Sequence, residues 1–101
     1  MLESVYEEAL VEELRLRGLS AERQREVPVQ YKGKRLGTGL RVDLIVQGLV
    51  IIECKATDQY NDLFEAQLLT YLRLLGLKLG LVINFGEKLV KRGIHRVVNG
   101  L

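Results

Sequence analysis

Apolar residues recur along the first part of the chain at helical spacing. Leu2, Val5, Tyr6, Ala9, Leu10 and Leu14 predict an amphipathic helix from about Leu2 to Arg17, stopped by Gly18. The period then drops to two. Val27, Val29 and Tyr31 alternate with polar residues and predict a strand over Arg25 to Tyr31, with Pro28 placing it at a sheet edge. Lys32-Gly33-Lys34 and Gly37-Thr38-Gly39 read as turns. Leu40 to Val46 and Leu49 to Ala56 are almost continuously apolar, as strands covered on both faces are. A second helical pattern runs from Asn61 to Leu75, with Asn61 or Asp62 to cap it and Gly76 to end it. Leu79 to Phe85 predicts another buried strand, Gly86 to Gly93 a basic loop, and Ile94 to Val98 a short last strand. The expected order is α-β-β-β-α-β with one extra C-terminal strand, an α/β fold.

At 101 residues the chain fits one domain, 1–101, and 48% hydrophobic content excludes a disordered chain. No apolar run reaches the roughly 18–20 residues of a membrane helix, so no membrane partner is expected. The N-terminus has no signal-peptide plan, and Cys54, the single cysteine, can form no internal disulfide; a cytoplasmic setting is expected. Charge is uneven. Residues 1–30 carry seven acids and four bases, and residues 31–101 carry six acids and eleven bases. Lys88, Lys91, Arg92 and Arg96 cluster near the end, which suits a polyanion such as a nucleic-acid backbone, or else a solvated basic surface.

The candidate chemistry lies on the two central strands. Asp43 is followed ten residues later by Glu53-Cys54-Lys55. Glu53 and Lys55 share a strand face. Two carboxylates suit a hard divalent cation, Mg2+ or Mn2+, and an ammonium beside it suits attack of water on a phosphodiester. The bland reading is a solvent-facing ion-pair cluster. Geometry discriminates. A two-residue hairpin at Gln47-Gly48 would put Asp43 and Glu53 on opposite faces. A three-residue loop, Gln47 to Leu49, pairs Val46 with Val50 and sets Asp43 opposite Glu53. In that register Arg41, Asp43, Ile45, Ile51, Glu53 and Lys55 share one face. Val42, Leu44, Val46, Val50, Ile52 and Cys54 make the other face purely apolar. The Cys54 side chain is then a small core residue, while its backbone carbonyl is a candidate metal ligand. Gln67 and Tyr71, one turn apart on the second helix, can brace the site or contact phosphate. On the first helix Glu3 can support a second metal or orient Lys55, whereas Glu7 reads as a solvated acid. His95 has no partner for a zinc site.

These motifs resemble the GxxExxY family of PD-(D/E)XK nuclease-like proteins, and the resemblance covers nearly the whole chain. Leu2-Glu3-Ser4-Val5-Tyr6 is similar to its E-x-x-Y helix, and Val29-Gln30-Tyr31-Lys32-Gly33 to its following strand and turn. Asp43 and Glu53-Cys54-Lys55 resemble its metal-binding strands. Ala66-Gln67-Leu68-Leu69-Thr70-Tyr71 resembles the Q-x-x-x-Y helix shared with RecB-like nucleases. Gly80 to Gly86 and Gly93 to Asn99 resemble its closing segments. The family glycine falls just before Met1, and the helix that usually precedes it is absent from this sequence. The resemblance implies a restriction-endonuclease-like core and a divalent-metal-dependent nuclease acting on DNA, with RNA as a possible substrate. The alternative is a non-catalytic nucleic-acid- or protein-binding module on the same fold. Apolar surface left on the first helix implies a homodimer.

Overall fold

A computed structural model describes residues 2–37 and 39–100. Thr38, at the centre of the turn expected at Gly37-Thr38-Gly39, lies outside the described residues. Helix α1 spans Leu2–Leu16. The strands are β1 (Ala21–Val27), β2 (Gln30–Tyr31), β3 (Lys34–Arg35), β4 (Leu40–Val46) and β5 (Val50–Lys55). Helix α2 (Leu63–Leu75), β6 (Leu79–Asn84), a short 3-10 turn (Val90–Gly93) and β7 (Ile94–Val98) complete the order.

The main sheet runs β1-β4-β5-β6-β7. β5 and β6 are parallel and joined through α2, and the other neighbours are antiparallel. The near-continuous apolar strands β4, β5 and β6 sit inside the sheet, as their composition requires. Each face carries one helix. Leu10, Val11 and Leu14 of α1 cover Leu44, Val46, Ile52, Cys54 and Ile83. Leu68, Tyr71 and Leu72 of α2 cover Ile45, Ile51 and Val82 on the opposite face.

Helix α2 starts where the Asn61 side chain accepts a hydrogen bond from the Leu63 N–H at 2.9 Å, and stops at left-handed Gly76, whose N–H reaches the Leu72 carbonyl. Close packing of α2 on β6 is set by Gly80, where a Cβ would lie 2.8 Å from Leu68 Cδ2.

One predicted strand is corrected. Arg25 to Tyr31 is not continuous. β1 begins four residues earlier and ends at Val27, before Pro28, which has no N–H to donate. The polar run Ala21-Glu22-Arg23-Gln24 carries no strand signal of its own, and pairing with β4 makes it one. Gln30–Tyr31 and Lys34–Arg35 form a separate two-stranded hairpin, turned by Lys32 and Gly33, both at positive φ.

The β4–β5 connection is the three-residue loop that the site needs. Val46 pairs with Val50, Ile45 with Ile51 and Leu44 with Ile52. Gln47 and Gly48 both have positive φ, and Leu49 donates to the Val46 carbonyl at 2.9 Å. Gln47 holds this strained conformation through Ser20. Its Oε1 accepts from the Ser20 N–H at 2.8 Å and from the Ser20 hydroxyl at 2.6 Å.

At the far end of the sheet a buried asparagine ties three segments together. Asn84 Oδ1 accepts from the N–H groups of Thr57 and Gly86, both at 3.0 Å, and its Nδ2 donates to the Thr57 carbonyl at 2.9 Å. Gly93 packs on the Asn84 backbone so closely that a Cβ would collide with its carbonyl oxygen. Gly93→Ala is therefore expected to destabilise the fold by about 1–3 kcal/mol, the usual range for overpacking. Urea denaturation checks this, and an unchanged midpoint would contradict the packing described.

Candidate active site

The β4–β5 ladder ends at Leu44 and Ile52, one residue short of Asp43 and Glu53. From that point the backbone bonds between the two strands give way to side-chain bonds. Glu53 Oε2 accepts from the Asp43 N–H at 2.7 Å, and Asp43 Oδ2 accepts from the Cys54 N–H at 2.8 Å. The two carboxylates thus close a fork between central strands. Cys54 donates its N–H into this fork. In an extended strand the N–H and C=O of one residue point to the same side, so the Cys54 carbonyl faces the fork too.

Beside the fork the strands turn over. Val42 packs on the α2 side with Ile45, although the two residues are an odd number apart. The expectation that Val42 joins Leu44 and Val46 on one apolar face is therefore corrected. β1 turns over at the matching place. Arg23 reaches Glu7 of α1, while Val27 lies in the α2-side core. Between them Gln24 has φ +51°, rare for a non-glycine residue inside a strand. The direct register would pair Gln24 with Asp43, and that pair is missing from the ladder. This double turn-over frees Asp43 to aim across the strands instead of into either core.

Burial and mutual repulsion shape the electrostatics. Glu53 is 6% exposed, and desolvation together with the Asp43 charge pushes its pKa up to about 7. The Asp43 N–H and Lys55 pull the other way and lose. Asp43 is also raised, chiefly by desolvation, against the opposing Cys54 N–H bond. Cys54 is buried in the apolar face under α1, with its thiol pushed up to about 12, so it is no nucleophile. Lys55 Nζ lies 4.7 Å from the Phe64 ring centroid of α2, and its charge acts on both carboxylates.

Tyr71 is buried on α2, its hydroxyl raised by desolvation and then by Glu53 and Asp43. Gln67, one turn away, is exposed, and among the described residues it makes no hydrogen bond to Asp43, Glu53 or Lys55. Gln67 and Tyr71, expected to act together, thus part: Gln67 lies at the surface and Tyr71 in the core.

The acids of α1 exchange roles. Glu3 is exposed, while Glu7, expected to be solvated, is 3% exposed. Glu7 accepts from Arg23 Nε at 3.1 Å and from Gln24 Nε2 at 3.0 and 2.9 Å. The same Gln24 amide lies 3.5 Å from Asp43 Oδ1 and so links Glu7 to the fork. A sequence signal for Glu7 exists. Glu7, Leu10, Val11 and Leu14 follow the i, i+3, i+4, i+7 stripe, which puts a carboxylate in the buried face of α1. Gln24 and Asn84 have no comparable signal.

Among the described residues no three His, Cys, Asp or Glu side chains converge tightly enough to make a metal cage by themselves. The donor set at the fork is two carboxylates and one backbone carbonyl. That is hard oxygen chemistry with surplus negative charge, and it fits a divalent cation that also keeps waters. Lys88, Lys91, Arg92 and Arg96 are exposed, with Lys91 and Arg92 on the 3-10 turn and Arg96 on the edge strand β7.

Comparison with known proteins agrees with this fold. A solved structure described as "Crystal structure of SSO0001" superposes with a TM-score of 0.72 at 21% identity, over 99% of this chain and 51% of that one. The chain spans about half the length of that protein, and at this identity the likeness is one of fold. No curated protein matches the chain. The family model described as the PD-(D/E)XK nuclease superfamily matches residues 1–97. With that match over nearly its whole length, the chain belongs to the PD-(D/E)XK nuclease superfamily.

Proposed function

We propose that this chain is a divalent-metal-dependent nuclease of the GxxExxY type, hydrolysing phosphodiester bonds of DNA. The observation that carries the reading is the fork. Two carboxylates from adjacent central strands are held against each other at the cost of a Glu53 pKa near 7. A protein with no use for that charge gains stability by replacing it.

Asp43, Glu53 and the Cys54 carbonyl are the residues that would hold Mg2+ or Mn2+. The ion, when bound, supplies Lewis acidity and a water of lowered pKa. Lys55 brings a positive charge to the same place, suited to the charge that develops on the phosphoryl oxygens. The Tyr71 hydroxyl, on which both carboxylate charges act, would offer a neutral donor on the α2 side. Gln24 positions Asp43 from the β1 side, with Glu7 behind it. The exposed bases Lys88, Lys91, Arg92 and Arg96 supply backbone contacts. Glu3, exposed on the first turn, is left with contact to substrate or to a second ion rather than to the fork. A cytoplasmic setting agrees with the buried free thiol of Cys54, and among the described residues no helix is long and apolar enough to cross a membrane.

Titration calorimetry with Mn2+ tests the donor set. Wild type is expected to take up the ion, and Asp43→Asn to lose most of that affinity. No heat with wild type would favour the binding-module alternative. Lys55→Ala separates holding from turnover. It is expected to keep Mn2+ binding and to lose cleavage by about 10²-fold or more. Loss of ion binding in that variant would move Lys55 from chemistry to structure.

Self-association belongs to the same proposal. On α1, Leu2 and Val5 remain 65% and 62% exposed, and Ile94 and Val98 stay exposed on β7. Covering such side chains is worth about 25 cal/mol per Å2, and a two-fold dimer is the simplest closed solution. Multi-angle light scattering at micromolar concentration is expected to give twice the chain mass. A monomer mass would remove the dimer and leave the chemistry standing.

A further inference from the structure

The β2–β3 hairpin contributes nothing to either core. All of its residues, Gln30 to Arg35, are exposed. It is hydrogen-bonded apart from the main sheet and extended by one bond from the Leu36 N–H to the Val29 carbonyl at 2.9 Å. An isolated two-stranded hairpin is marginal in water and gains little by carrying a large ring at its surface. Yet Tyr31 is 64% exposed. Its cross-strand neighbour is Lys34, and the Lys32 ammonium lies 5.5 Å from its ring centroid. Arg35 follows on the same strand. From Pro28 through Val42 the sequence holds four cations, Lys32, Lys34, Arg35 and Arg41, and no acid. Of these, Arg41 is matched by Glu26 at 3.4 Å.

The position of this hairpin matters. It leaves from the end of β1 and enters β4, so it stands beside the edge strand β1 at the end of the sheet where Asp43 and Glu53 lie. Leu40, the first residue of β4, is three residues from Asp43, about 10 Å along a strand. The same end of the sheet carries Lys88, Lys91 and Arg92 in the β6–β7 connection, beside the opposite edge. Two basic banks therefore flank the carboxylates across about 20 Å of sheet. Only the hairpin bank carries an exposed ring.

We propose that the β2–β3 hairpin is a nucleic-acid-binding arm in which Tyr31 stacks on an unpaired base while Lys32, Lys34 and Arg35 hold the flanking phosphates. It rests on the nuclease reading only for its purpose, delivering substrate to the fork. The chemistry sets the substrate class. A ring that stacks needs a base whose face is open, which a continuous duplex does not offer and a single strand, flap or junction does.

Fluorescence anisotropy in EDTA tests the arm without cleavage. The probes are a labelled single-stranded oligothymidylate of about 20 nucleotides and a blunt duplex of the same length. Wild type is expected to prefer the single strand. Tyr31→Ala should weaken single-strand binding about tenfold, within the usual worth of one stacked base, and leave duplex binding nearly unchanged. Lys32→Ala/Lys34→Ala/Arg35→Ala together should flatten the salt dependence by about two in log–log slope. Tyr31→Trp introduces the sole tryptophan of the chain, and its emission should be quenched by the oligonucleotide. Unchanged single-strand affinity in Tyr31→Ala, unquenched emission in Tyr31→Trp, or equal losses on both probes would overturn the arm. Binding as expected with no cleavage in Mn2+ would instead retire the nuclease reading and leave the arm standing.

Discussion

Glu53→Gln is expected to abolish hydrolysis, by about 10³-fold or more, while making the metal-free protein more stable above pH 7. The two effects have one cause. Glu53 is buried, its carboxylate presses against Asp43, and its pKa is pushed up to about 7 from an ordinary 4.5. Glutamine keeps the shape and an oxygen that can accept the Asp43 N–H bond. It removes the charge, and with it the hard anionic ligand. An ordinary buried residue behaves differently, since truncating or changing it costs stability. A rise in stability with loss of activity is the signature of a group kept for chemistry. Thermal melts and cleavage of a labelled substrate on the same preparations give both readings. A variant that is less stable at pH 8 would show that the fork holds the fold together.

Metal-free wild type is expected to lose stability as pH rises from about 4.5 through 7. The native Glu53 carboxyl keeps its proton through that window, whereas the unfolded chain has already released it. Unfolding then releases a proton, so rising pH favours the unfolded state. Below 4.5 the penalty from this group is absent, and above 7 it is complete, about 3 kcal/mol. Asp43, raised for the same main reason, adds in the same direction. For a chain of this size that is about 10 °C or more in Tm. Saturating Mn2+ at pH 8 is expected to recover about 2–3 kcal/mol at a hundred times its Kd. Glu53→Gln should flatten the pH profile and remove most of the metal response. A wild-type profile that climbs from pH 5 to 8 without metal would contradict the electrostatics of the fork.

The buried strands and both helices were legible in the pattern of apolar positions, because β4, β5, β6 and the two helix stripes are dictated by burial. Loop arithmetic around Gly48 left two registers open, and only the three-residue loop, with Val46 opposite Val50, sets Asp43 and Glu53 on one face. What escaped depended on contacts between distant segments. β1 has a polar sequence and becomes a strand only by pairing with β4. Gln24 looks like any exposed glutamine, and its positive φ arises where β1 and β4 turn over together. Glu7 was legible in principle from its stripe with Leu10, Val11 and Leu14. A carboxylate near a helix N-terminus also has a simpler explanation, the helix dipole, which masks that signal. Gln67 and Tyr71 share spacing but not burial. Sequence cannot say which side of a helix stripe ends at the sheet and which at solvent.

Metal-dependent cleavage through Glu53 is tested most directly on one gel. Wild type and Glu53→Gln, purified in parallel, are incubated with end-labelled single-stranded, flapped and duplex DNA in Mg2+, Mn2+ or EDTA. Wild type is expected to cleave with Mg2+ or Mn2+ and not in EDTA, and the variant not to cleave under any condition. Equal cleavage by the variant, or cleavage by wild type that persists in EDTA, would contradict that chemistry.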